Sequence, residues 1–549
     1  MLSKINVSFL LKVLLVPTLV SIWDNVYDTY SAYTRPLVLT KNGWVRGLSS
    51  QDGGYDMFLG IPYGIVRQDN PFGVADPYPK YEGVFEATDN TKNCPQYDEI
   101  SDTFGGTLDC LNIHVYVPRA RTGKLAVMVY IYGGQFLFGY SGKFNTSLIY
   151  GPQHLLRHNV IYVIFNHRVG PYGYMCLGTK EIPGNTGLKD QTRALRWVKD
   201  NIECFGGDAN KITLFGHSSG AMSVDHHIHY QPYDLFQQAI LQSGTIMMTH
   251  SVEHGNSRVP LIIADKLGFT TDDLDAAVKY LAKSNPIDVV KASVNTIEDY
   301  RPCIEQEFQD VENFITAFPI HLVPKVKNRK FMLGHTREEY NMEYANYSKE
   351  YFDKYDIFKI FVWALLNTNE TEIAKGLSEV KKFYIGDNKV SGEFKEHIVN
   401  FTSDLLFNYA MHRQMDRFMD HKADKIYYYV FTYSGGRNLH KVINNFTVGG
   451  AMHADEVGYI YQPSFFREET SKEDQLIVDR MTTLWTNFAK YGDPTPDATD
   501  LLPVKWSPIS EDSRPYLRID RKTEMDTEIL TRMNFWNQFY KKHTGHIRN

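Results

Sequence analysis

The chain has 549 residues, 43% of them hydrophobic and 14% aromatic, with a formal net charge of −6. Charges of both signs are mixed along it with no basic cluster, which excludes an electrostatic nucleic-acid surface. No Pro/Gly/Ser-rich linker, low-complexity run or repeat divides it, so one large domain is expected in place of the several that length alone suggests.

At the N-terminus Lys4 precedes an apolar stretch from Val7 to Val20, interrupted by Lys12. The stretch is too short and too broken for a membrane span. It reads as a secretory signal over residues 1–21, leaving 22–549 as a secreted domain without a span. Sequons at Asn145, Asn346, Asn369, Asn400 and Asn445 fit that route. Of five cysteines, Cys94 and Cys110 bracket a polar loop that a disulfide would close, worth ~3 kcal/mol in the chain-entropy model. Cys176, Cys204 and Cys303 lie beside apolar segments and read as buried free thiols. No Cys/His spacing suggests zinc, and no metal or cofactor is expected.

In chain order, LVLTKNGWVRGL carries an Asn42-Gly43 turn signal between extended runs and predicts a hairpin. YDMFLGIPYG continues extended, and Asn70 to Tyr81 is irregular. LNIHVYVP is a strand ended by Pro118. LAVMVYIYGG and VIYVIFN are nearly continuous apolar runs, as in parallel strands buried on both faces. Leu188, Ala194, Leu195, Val198 and Ile202 form a helical face before the strand KITLF. FQQAILQSG, FMLGH and KIYYYVFTY are later strands, and Leu476, Ile477, Met481, Leu484, Trp485 and Phe488 mark a late amphipathic helix. The alternation argues for an α/β fold around a mostly parallel sheet.

KITLF runs into Gly216-His217-Ser218-Ser219-Gly220 and then a helix, the G-x-S-x-G pattern in the strand–turn–helix setting that exposes a serine hydroxyl at a sheet end. Of 19 histidines, His453 stands in a Gly-rich loop, GGAMHADE, after the YYYVF strand, a usual mounting for a base. His226, His227 and His229 lie on the helix leaving the turn and read as solvated or packed residues; His217 and His335 read as supporting groups. Glu338 and Glu339 follow FMLGH between serine and histidine, and their spacing does not choose between them. Gly133-Gly134-Gln135 after a buried strand, with the Ser219 N–H, are candidate oxyanion donors.

These stretches, together with DCL…VYVP at 109–118, NHRVGPYGY at 166–174, PGNTGLKDQTRALRWVKDNIECFGGD at 183–208 and WTNFAKYGDPTP, resemble the type-B carboxylesterase/cholinesterase family of α/β-hydrolases, and look most like its insect carboxylesterases. The likeness runs from about Leu37 to about Phe539. It implies Ser218 as nucleophile, Glu339 as acid and His453 as base, oxyanion donors at Gly134, Gln135 and Ser219, and a Cys94–Cys110 bridge. It departs from the family at Gln135, usually glycine, where a left-handed backbone would cost ~1 kcal/mol and the side chain would narrow the acyl side of the pocket. Leu108 replaces a Glu, Tyr340 a Gly and Ser219 an Ala, and the second disulfide of many relatives finds no partners here. The Cys94–Cys110 loop lacks the tryptophan that binds choline by cation–π contact, so choline esters are not expected. Relatives acting on juvenile hormone usually carry glutamine where His217 stands. The expected function is hydrolysis of small apolar carboxylic esters, of xenobiotic, odorant or hormone type, through an acyl-enzyme. The alternative is a catalytically weak binding or adhesion protein on the same scaffold. Oligomeric state is not legible.

Overall fold

The run Leu125–Ile131 has no polar side to turn toward water, and every residue of it is buried. The structure, a computed structural model, describes residues 35–230, 234–249, 251–256, 258–294, 296, 300–466 and 469–543; the signal segment 1–21 lies outside them. Among the described residues is an eleven-stranded sheet: β1 (Leu48–Ser49), β2 (Tyr55–Pro62), β3 (Asn112–Pro118), β4 (Leu125–Ile131), β5 (Ile161–Phe165), β6 (Gly207–His217), β7 (Gln238–Gln242), β8 (Lys330–Thr336), β9 (Lys425–Phe431), β10 (Tyr516–Ile519) and β11 (Glu524–Asp526). Across the sheet the order is β1-β2-β3-β5-β4-β6-β7-β8-β9-β10-β11. The strands from β5 to β10 in that order are parallel, and antiparallel strands finish both edges.

Because successive side chains point to opposite faces, each central strand feeds two cores. Val127, Val129 and Ile131 pack with Leu188, Leu195 and Val198 of α1 (Thr186–Asn201) and Val224 and Ile228 of α2 (Ser219–Tyr230). Met128 and Tyr130 pack on the other side with Ile477, Met481, Leu484, Trp485 and Phe488 of α3 (Lys472–Tyr491). This is the predicted α/β-hydrolase arrangement. Parallel strands all end at one edge, so the segments following β4, β6, β8 and β9 collect there. None of the helices among the described residues is long and apolar enough to cross a membrane.

Two local readings are corrected. The hairpin pairs Thr40 with Gly43, so its two-residue loop is Lys41-Asn42, one position earlier than the Asn42-Gly43 signal. Cys176 and Cys303 are not free thiols: they form a disulfide across 127 residues, beside the Cys94–Cys110 bond, and only Cys204 is free and exposed. Tertiary structure makes that second pair. Cys303 and Ile304 align with Glu253 and His254 in a short pairing, and Asn185 holds the Cys303 backbone from both sides, at 2.8 Å to its N–H and 2.8 Å to its C=O. Asn185 also donates to Glu305, which Lys189 meets at 2.8 Å in a buried ion pair.

A second buried ion pair ties the segment after β5 to α1. The Arg168 guanidinium, 0% exposed, donates from Nε and Nη2 to the two Asp190 oxygens at 2.7 and 2.8 Å. Its Nη1 donates to the carbonyls of Pro71 and Gly73. Removing one partner strands a buried charge, which costs ~3–5 kcal/mol, whereas removing both does not. Arg168→Met is therefore expected to lose that much in urea unfolding, and Arg168→Met with Asp190→Leu to recover most of it.

Candidate active site

Ser218 is the single residue between β6 and α2, and its φ is +55°. A left-handed backbone costs a non-glycine residue ~1–2 kcal/mol, and the turn is held by the Ser218 N–H donating to Gln242 O at 2.8 Å. The flanking glycines are required by contact. A Cβ on Gly216 would lie 2.5 Å from the Gly220 carbonyl carbon, and one on Gly220 would lie 2.2 Å from Ile131 O. Strand and helix thus cross at a distance only glycine permits, and the serine is pushed out at the sheet edge.

Glu339, just past β8, is fully buried. Its Oε1 accepts from the Thr336 N–H at 2.6 Å and the Ser243 hydroxyl at 2.5 Å, and its Oε2 accepts from His453 Nδ1 at 2.6 Å. Burial pushes the carboxyl up, but the His453 charge and the hydrogen bonds from His453 and Ser243 outweigh it and hold the group at about 2. An ionised carboxylate only accepts, so the His453 Nδ1 carries the proton and Nε2 is left as the basic nitrogen. Glu338 faces elsewhere: its Oε2 accepts from the Gly450 N–H at 2.8 Å and from Asn341 Nδ2 at 2.7 Å, bracing the loop that leads to His453. The His453 ring lies 4.6 Å from that of His217 and 5.0 Å from that of Phe407, centroid to centroid. Phe407 belongs to a π-helical turn, Asp404–Asn408, an irregularity found often at functional sites.

The segment after β4 comes against the serine turn: a Cβ on Gly133 would lie 3.0 Å from that of Ser218. Gln135 and Phe136 both have left-handed backbones, φ +56° and +64°, as the sequence predicts for Gln135. The Leu137 N–H closes the turn onto Gly134 O at 2.8 Å. The Gln135 side chain is exposed, while Phe136 is buried and packs on Tyr174 at 5.0 Å.

Three groups near the site carried no readable signal in the sequence. Ser243, in the Gln-Ser-Gly after β7, orients Glu339. Gln242 accepts from the Trp485 indole at 3.2 Å and donates to Glu456 Oε1 at 3.4 Å. Glu456 is fully buried, 4.0 Å from His217 Nε2. Burial, then the Glu339 and Asp455 charges, push its carboxyl up to about 8, and burial, then the His453 charge, push the His217 imidazole well down. Both are neutral at pH 7, so Glu339 is the carboxylate that faces His453 with a charge. A carboxyl whose pKa is higher folded than unfolded stabilises fully below its unfolded value of about 4.5, and that contribution is lost as pH rises through about 8. Glu456→Gln cannot titrate, so its unfolding free energy, measured in urea, is expected to decline less than the parent's between pH 6 and 9, by on the order of 3 kcal/mol.

Of the other residues singled out, His226, His227 and His229 are buried and packed. His227 Nε2 meets Gln191 and His229 Nδ1 meets the Asp225 carbonyl. His335 bridges Thr336 O and the Tyr428 hydroxyl. The sequon asparagines Asn145, Asn346, Asn369 and Asn445 are exposed, whereas Asn400 is half-buried within a helix.

The mostly parallel sheet with helices on both faces and a serine at a strand–helix elbow defines an α/β-hydrolase. The solved structure of juvenile hormone esterase from Manduca sexta, with OTFP covalently attached, matches it at a TM-score of 0.77, covering 92% of this chain and 100% of that one at 22% identity. Residues 34–536 match the sequence model of the carboxylesterase family, and the chain belongs to that family of carboxylic ester hydrolases. It is 31% identical to the bile salt-activated lipase of Rattus norvegicus over 91% of this chain and 84% of that one. It is 29% identical to esterase FE4 of Myzus persicae, over 91% of each chain. Identity to the juvenile hormone esterase of Tribolium castaneum is 29%, over 85% of each.

Proposed function

We propose that the protein is a secreted serine carboxylesterase acting on small apolar esters, with Ser218 as nucleophile, His453 as base and Glu339 as acid. The observation that carries this reading is the 2.6 Å contact of His453 with a buried, ionised Glu339, at the sheet edge where Ser218 emerges. Ser218 Oγ attacks the ester carbonyl carbon as His453 Nε2 takes its proton. The oxygen of that carbonyl becomes an oxyanion held by the N–H groups of Gly134, Gln135 and Ser219, each worth ~3–4 kcal/mol in a comparable hydrolase. The tetrahedral intermediate collapses, the C–O bond to the alcohol breaks, and His453 gives its proton to the leaving oxygen. Water then attacks the acyl-enzyme by the same route and frees the acid. Glu339 holds the tautomer and stabilises the imidazolium.

Phe136, Phe407 and the partly exposed Phe138 favour apolar acyl or alcohol groups. The apolar stretch from Val7 to Val20, read as a leader over residues 1–21, and two disulfides favour an oxidising, extracellular setting, with glycans on the exposed asparagines Asn145, Asn346, Asn369 and Asn445. The test is hydrolysis of a short-chain p-nitrophenyl ester by the purified protein, with mass-spectrometric mapping of an organophosphate adduct. Turnover with the adduct on Ser218 supports the reading. An inert protein leaves the binding scaffold as the better account, and an adduct elsewhere names a different nucleophile.

A further inference from the structure

Ser219 stands where relatives of the family pattern carry alanine, and its backbone N–H alone would explain a residue at that place. Its hydroxyl does something more. Ser219 is 5% exposed, and its Oγ accepts a hydrogen bond from the Phe136 N–H at 3.3 Å, linking the first residue of α2 to the turn after β4. That turn is the strained one. Gln135 and Phe136 are consecutive left-handed residues at central positions that glycine or asparagine normally takes. Such conformations persist only where the surroundings over-determine them. Phe136 is fixed from three directions: its N–H by Ser219, its C=O by the Gly170 N–H at 2.7 Å, and its ring by Tyr174. With the Phe136 N–H turned to Ser219, the N–H groups of Gly134 and Gln135 are left without an acceptor among the described residues.

We propose that the Ser219 hydroxyl is a positioning group that holds the Gly134–Leu137 turn in its left-handed form. The turn then presents the Gly134 and Gln135 N–H groups to the oxyanion even though residue 135 is not glycine. Ser219 thus serves the oxyanion site twice, by its own N–H and by fixing the other two donors. This rests on the proposed assignment of those donors. Alanine at 219 leaves the buried Phe136 N–H without that acceptor; threonine keeps an oxygen in place.

The test compares the parent with Ser219→Ala, Ser219→Thr and Ser219→Ala in a Gln135→Gly background. Hydrogen exchange of the peptide spanning residues 133–139 reads the clamp without reference to activity. It is expected to quicken at least tenfold in Ser219→Ala and to stay near the parent in Ser219→Thr. With a short-chain p-nitrophenyl ester, Ser219→Ala is expected to lower kcat at least tenfold with little change in KM. Ser219→Thr restores most of it, and the alanine penalty shrinks at least threefold in the Gln135→Gly background, where glycine takes a left-handed angle freely. Unchanged exchange in Ser219→Ala overturns the clamp. Faster exchange with unchanged kcat overturns the positioning role. If the parent itself hydrolyses no ester, the functional reading fails while the exchange result still decides whether the hydroxyl holds the turn.

Discussion

Ser218→Ala is expected to lower kcat for ester hydrolysis by ~10⁴–10⁶ while leaving the protein folded. A serine that only shaped the turn would not give that result. The Ser218 backbone is held by Gln242 O and by the start of α2, neither of which alanine disturbs. What alanine removes is the atom that takes the acyl group in the proposed mechanism. Residual turnover ~10³–10⁴ above water is expected to survive, because oxyanion donors still bind the transition state for attack by water. Ser218→Gly sharpens the experiment. It is equally inactive, but it relieves the +55° backbone angle and is expected to unfold at a higher temperature than the alanine variant. Stability then changes between the two variants while activity does not.

Glu339→Gln is expected to cost ~10³–10⁴ in kcat with a small effect on KM. Two N–H and O–H donors, from Thr336 and Ser243, already point at Oε1. A glutamine can meet them only with its carbonyl oxygen, which turns its NH₂ toward His453 Nδ1. The imidazole then carries its proton on Nε2, where it cannot take one from Ser218. The same residue sets an acid limit on stability. Its folded pKa, about 2, lies below the ordinary 4.5, so its ionised form stabilises fully above 4.5 and that contribution is lost as pH falls through about 2. Glu339→Gln is expected to lack this component of acid unfolding, as followed by circular dichroism between pH 5 and 2.

The sheet was legible because its strands carry their own pattern. Runs such as VMVYI and IYVIF have no polar face, and a strand covered on both sides of its sheet accommodates them. The serine turn was legible for a similar reason: Gly216 and Gly220 mark backbones that pass too closely for any Cβ. The choice between the two glutamates was less so. Glu338 and Glu339 share a strand end, and what separates them is contact with loops more than a hundred residues away: Glu338 meets Gly450, and Glu339 meets His453. Ser243 and Glu456 left no trace in the chain, since a serine in a turn and a glutamate after an aspartate are ordinary until the fold buries them. The Cys176–Cys303 bond went unread because cysteine spacing carries no pairing rule over such a distance.

That bond bears on how the chain must be made. Cys176 leaves the ribosome well before Cys303, and Cys204 emerges between them, about 28 residues from Cys176 against the 127 of its native partner. Loop-closure probability falls roughly as the −3/2 power of length, so the wrong partner meets Cys176 about tenfold more often while the chain is open. The thiol that stays free in the finished fold is that nearer competitor, Cys204. Cys204→Ser is therefore expected to raise the fraction of chains that reach the Cys176–Cys303 bond on oxidative refolding, read by peptide mapping.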